Sequence, residues 1–111
     1  MKYHNRKFKT ITSSENSEVS SKMIFTYKQN NSVITCSYKD TSIVKGHLIG
    51  LVDEHGIIHI SYHQVNNKNK IMTGTCISTP EILENGKIRL HEKWQWTSGD
   101  FSEGTSIIEE I

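Results

Sequence analysis

Apolar residues in this chain recur at every second position in short runs, with no helical three-and-four spacing of useful length. The alternation predicts eight β-strands, at about 3–12, 22–29, 32–39, 43–53, 57–65, 70–79, 87–96 and 104–111. Turn residues punctuate them. Asn30-Asn31 and Asn85-Gly86 each suit a two-residue type I′ hairpin turn, because both dipeptides tolerate positive φ. Asp53-Glu54-His55-Gly56 reads instead as a type I turn closed by a left-handed glycine. The Ser-rich stretch 12–22, whose only apolar residue between its ends is Val19, reads as a flexible loop. Pro80 cannot donate to a central ladder, so it should mark a strand end or a bulge.

The turns set registers, and the registers set faces. The 53–56 loop pairs Val52 with Ile58, Gly50 with Ile60 and Leu48 with Tyr62. One face then carries Val44, Gly46, Leu48, Gly50, Val52, Ile58, Ile60, Tyr62 and Gln64. The Asn85-Gly86 turn pairs Leu83 with Ile88 and sets Ile77 opposite Trp94 and Thr75 opposite Trp96. Its inner face is Ile71, Thr73, Thr75, Ile77, Ile88, Leu90, Glu92, Trp94 and Trp96. The Asn30-Asn31 turn brings Phe25 and Tyr27 beside Ile34, Cys36 and Tyr38. Antiparallel strands in sequential order, each with one apolar face, predict an all-β up-and-down barrel of eight strands in a single domain, 1–111. Closure removes the edges that an open sheet would expose. Such a barrel is just wide enough to be filled by side chains or to hold one small ligand. A two-sheet sandwich is the competing architecture.

Composition removes several function classes. Thirteen basic and twelve acidic residues leave a net charge of +1, and only Arg6 and Arg89 are arginine. That is no electrostatic footprint for nucleic acid. No apolar run reaches transmembrane length, so no membrane partner is expected, and the cytosol is the default location. Cys36 and Cys76 lack metal-site spacing and read as buried free thiols.

In HGIIHISYH, residues 55–63, His55, His59 and His63 stand four apart. Glycine, isoleucine and serine between them are strand composition, and four strand residues span about 13 Å. Zinc needs each ligating nitrogen at about 2 Å. One ion therefore cannot bridge His59 and His63. The register does set His47 opposite His63 on the outer face, but without a third ligand. No metal and no cofactor is expected.

The chemistry points to Glu92. In IRLHEKWQW, alternation sets Glu92 in the middle of the face formed by Ile88, Leu90, Trp94 and Trp96. An interior carboxylate costs several kcal/mol unless it is paired, hydrogen-bonded or protonated. Tyr27, Tyr62, Gln64, Thr73, Thr75 and Thr79 are its candidate partners. Two tryptophans, tyrosines and a few convergent polar groups make up a small-ligand pocket; a buried polar network is the structural alternative. No nucleophile motif is present, and no G-x-G spacing could cradle a pyrophosphate.

The run KGHLIGLVDEHGIIHISYHQV, followed by MTG, STPEILENGKIRLHEKWQWTSGD and SIIEE, resembles a family of small bacterial proteins often labelled n-acetylglutamate synthase. The likeness covers most of the chain and is most specific from Lys45 to Glu110. The label implies acetyl transfer, but the chain lacks the R/Q-x-x-G-x-G/A turn that opens a helix in acetyltransferases. The leading reading is a cytosolic calycin- or lipocalin-like barrel that binds a small, partly apolar ligand. Trp94, Trp96 and Tyr62 would form a stacking surface, and Glu92 with Gln64 a polar end; Tyr27, Thr73 and Thr75 complete the candidate set. An enzyme using Glu92 as acid or base is the second reading. A homodimer built on an outer face of Ile43, Ile49, Leu51 and Ile57 is the third.

Overall fold

The computed structural model describes residues 2–18 and 22–111, and every alternating run in them is extended. Among the described residues nine strands form: β1 (Lys7–Ser13), β2 (Ile24–Thr26), β3 (Lys28–Asn30), β4 (Val33–Tyr38), β5 (Ile43–Val52), β6 (Ile58–Asn66), β7 (Ile71–Ile82), β8 (Ile88–Trp96) and β9 (Glu103–Glu110). They make one antiparallel sheet in the order β2-β1-β9-β8-β7-β6-β5-β4-β3. The two ends of that order are separated along the chain only by Tyr27, so the sheet curls round into a nearly closed barrel.

The count is nine, not the eight expected, because the run 22–29 divides at Tyr27. Its first part pairs with β1 and its second with β4. Tyr27 itself bonds outside both ladders: its N–H donates to the Arg6 carbonyl at 3.0 Å, and its carbonyl accepts the Asn5 N–H at 2.8 Å. Asn5 has φ 64° and ends the ladder there. The tight turn also differs from expectation. Asn30 pairs with Val33, so Asn31 and Ser32 form the loop; the shift of two positions leaves Phe25, Tyr27, Ile34, Cys36 and Tyr38 inside.

The β5–β6 register is as expected, with Leu48 opposite Tyr62, Gly50 opposite Ile60 and Val52 opposite Ile58. A bulge between Ile43 and Lys45 reverses the end of β5. Val44 is thereby exposed and Ile43 fully buried, so Ile43 leaves the proposed outer face; Ile49 and Leu51 remain on it, and Ile57 is half-buried.

The β7–β8 hairpin is displaced by one residue. In the 83–87 loop only Gly86, at φ 83°, has a positive φ. The Leu83 N–H donates to the Lys87 carbonyl and the Gly86 N–H to the Leu83 carbonyl, repeating the bonding of the 53–57 loop. This is a three-residue loop with a glycine bulge, not a type I′ turn. Ile82, rather than Leu83, therefore faces Ile88, and Cys76 and Gly74 stand opposite Trp94 and Trp96. A one-residue slip turns a whole strand over. Ile71, Ile77, Thr75 and Thr79 are exposed and Thr73 half-exposed, while Gly74, Cys76 and Ser78 face inward. Pro80 lies within β7, but β6 pairs no further than Ser78. One flank of the strand is open there, as proline requires.

The first residues plug one end of the barrel. Tyr3 is fully buried, packs edge-on against Tyr27 and donates its hydroxyl to the Gly56 carbonyl at 2.6 Å. The far end carries residues 14–18; Thr12 and Ser13 of the expected loop belong to β1, and Val19 lies outside the described residues. Tyr3→Phe keeps the plug but orphans the Gly56 carbonyl. It should cost about 1–2 kcal/mol, read as a lower urea midpoint with an unchanged denaturant slope.

Candidate functional site

Between the plug and residues 14–18, the barrel holds a cavity of about 70 Å³. Its wall includes six of the expected residues: Tyr27, Tyr62, Gln64, Glu92, Trp94 and Trp96. Thr73 and Thr75 are not there. The turned-over β7 carries them outward, and the Thr73 hydroxyl instead bonds that of Thr97 at 2.7 Å. In their place the wall has Cys76 from β7, with Tyr38, Ser106, Thr10 and Glu18 from other elements.

Three glycines shape this space. Each pairs directly across the ladder with an aromatic residue: Gly46 with Tyr38, Gly74 with Tyr62, and Gly104 with Trp94. A β-carbon at Gly46 would come within 2.2 Å of the Tyr38 ring, at Gly74 within 2.3 Å of Tyr62, and at Gly104 within 2.5 Å of Trp94. The rings thus occupy the volume of absent side chains and lie along the wall, as aromatics do over strand glycines. Trp96 contacts both Tyr62 and Trp94 edge-to-face, at centroid distances of 5.7 and 5.9 Å.

Glu92 sits among these rings. Its Oε2 accepts the Ser78 hydroxyl at 2.8 Å and its Oε1 the Ser106 hydroxyl at 2.9 Å. Burial pushes its carboxyl above the usual range; the bonds from Ser78, Ser106 and Cys76 oppose that shift but do not cancel it. Burial likewise raises Tyr27, Tyr62 and Cys76, and the Glu92 charge adds to each. Among the described residues, no hydrogen bond engages the Tyr27 or Tyr62 hydroxyl, and Thr10 Oγ1 is buried without a partner. The cavity therefore combines apolar ring faces with unused polar groups.

A second polar group fastens residues 14–18 over the mouth. Glu18 accepts the side-chain N–H groups of Gln64 at 2.7 Å and Asn66 at 2.9 Å. Gln64 Oε1 accepts the Tyr38 hydroxyl at 2.9 Å. Asn16 contributes its carbonyl to Trp96 Nε1 at 3.2 Å, and Ser14 exchanges bonds with Thr105 at 2.9 Å. Gln64 thus joins the mouth rather than the floor beside Glu92. On the outer surface His47 and His63 face each other, their ring centroids 5.5 Å apart. His59 pairs with Asp53 at 3.0 Å, and His55 is exposed in its turn.

The sequence over residues 1–111 matches the family described as avidin-like protein. Comparison with curated proteins and with solved structures found no match. The family match and the antiparallel barrel agree on a calycin-like fold.

Proposed function

This chain belongs to the avidin-like family, and on that premise we propose that its lumen binds one small, partly apolar molecule. The observation that carries the reading is the cavity wall itself. Tyr38, Tyr62 and Trp94 lie flat over glycines, so the bulkiest side chains frame the space instead of filling it. A ligand would find ring faces along most of the wall, Glu92 part-way down, and Gln64 with Glu18 at the mouth. Apolar lining with a few placed polar groups is the usual makeup of a ligand pocket. The Tyr27 and Tyr62 hydroxyls would supply hydrogen bonds that the protein leaves unmade.

Tryptophan fluorescence tests this, because Trp94 and Trp96 are the only tryptophans and both line the cavity. A screen should cover small amines, alcohols and acids, with biotin included for the family name. Saturable quenching at one molecule per chain is expected. Ile60→Phe adds bulk to the cavity wall and should abolish the quenching while the variant still melts cooperatively. Quenching that survives Ile60→Phe would place the ligand elsewhere.

A further inference from the structure

We propose that the lumen selects a small aliphatic ammonium ion over neutral and anionic molecules of the same shape, with its nitrogen at Glu92. The inference rests on the lumen-binding reading and gives it a ligand class. Charge is the first ground. Among the described residues of the cavity wall, Glu92 and Glu18 are acidic, and no lysine, arginine or histidine is present. An anionic ligand would meet two carboxyl groups and no counter-charge. A cation would also lie among the rings of Tyr27, Tyr62, Trp94 and Trp96, and any ring face it meets attracts it.

Acceptor geometry is the second ground. The two Glu92 oxygens accept the Ser78 and Ser106 hydroxyls and the Cys76 thiol, and keep further lone-pair capacity. The unengaged Tyr27 and Tyr62 hydroxyls can accept as well as donate, and so can the orphaned Thr10 Oγ1. An ammonium group brings three donors and no acceptor, which matches such a surround. Size narrows the class further. At about 70 Å³ the cavity is under half of the roughly 150 Å³ that admits benzene. Only a cation of a few heavy atoms, about the size of ethylammonium, fits that description.

Binding should be coupled to the protonation of Glu92. Without a cation, burial favours its neutral form. A bound ammonium ion favours the carboxylate, so complex formation releases the carboxyl proton. The groups around Glu92 are Ser78, Ser106, Cys76, Tyr27, Tyr38, Tyr62 and, at the mouth, Glu18. The thiol and the three phenols are all raised and stay neutral near neutrality. Affinity for an ammonium ligand should therefore rise with pH, from the ordinary carboxyl value towards neutrality.

Ethylamine, ethanol and acetate share a two-carbon skeleton and make the test, titrated at constant ionic strength with tryptophan fluorescence and amide shifts as readouts. Ethylamine is expected to bind at least about tenfold more tightly than ethanol, with acetate weakest. Its affinity alone should climb with pH, a measurement that needs no variant. Glu92→Gln should bring the amine down to the level of the alcohol. If ethanol or acetate binds as tightly as the amine, the cation proposal fails while the lumen reading stands. If none of the three perturbs Trp94 and Trp96, both are overturned.

Discussion

Replacing Gly74 by alanine is expected to lower stability by about 2–3 kcal/mol, at the upper end of what overpacking costs. The new β-carbon would lie 2.3 Å from the Tyr62 ring and 2.8 Å from the Gln95 carbonyl oxygen. The ring can swing aside, but the carbonyl belongs to the neighbouring strand and cannot. Swinging Tyr62 also moves it into the lumen or breaks its contact with Trp96. Urea unfolding should show the loss, and near-ultraviolet circular dichroism a change in the aromatic signal. Gly86→Ala is the control. Nothing lies within 4 Å of its β-carbon, but φ is 83°, so the cost is backbone strain alone. It should lose about 1 kcal/mol and leave the aromatic signal intact. Equal losses and equal spectra from both variants would dismiss the glycine–aromatic account of the cavity.

Glu92→Ala is the second large effect, with an expected loss of about 3 kcal/mol. The hydroxyls of Ser78 and Ser106 both donate to this carboxyl, and each buried orphan costs about 1–3 kcal/mol. Glu92→Gln retains the shape and isolates the charge. The folded-state carboxyl titrates above its ordinary value of 4.5, so the native protein keeps a proton that the unfolded chain has already released. Relative to the glutamine variant, the contribution of Glu92 is fully present below the unfolded value and falls as pH rises through the folded one. Asp53, Glu81 and Asp100 act in the opposite sense. Their carboxyls are held low, chiefly by hydrogen bonds, so their contributions are lost as pH falls. The difference between wild type and Glu92→Gln across pH cancels those three. A flat difference curve would mean that Glu92 is ionised in the folded protein just as in the unfolded one.

Much of the barrel was legible in residue alternation. The β5–β6 and β8 faces follow from hydrophobic period and one glycine turn, and they correctly put Glu92, Trp94, Trp96 and Tyr62 together. β7 was misread for a specific reason. An Asn-Gly pair serves equally as a two-residue turn or as the last two residues of a three-residue loop, and the two differ by one position in register. Hydrophobicity could not arbitrate, since Ile71 and Ile77 make the outward face the more apolar one. Volume could have. Gly74, Cys76 and Ser78 set small side chains opposite Trp96, Trp94 and Glu92, whereas the other register opposes large to large. The division at Tyr27 depends on which neighbour each half of the run 22–29 pairs with, and no local pattern carries that. Glu18 was likewise beyond reach, because its partners Gln64 and Asn66 are more than forty positions away. Its loop has no period from which a path could be drawn.

Arg6 and Glu110 form an ion pair at 2.8 Å, because β1 begins and β9 ends at the rim where Tyr3 sits. Residues 14–18 and the mouth lie at the opposite rim of a molecule 39 Å long. Any tether attached through Ile111 leaves from the plugged rim. Coupled to a bead or a sensor surface by that residue, every molecule would present its opening to the solution.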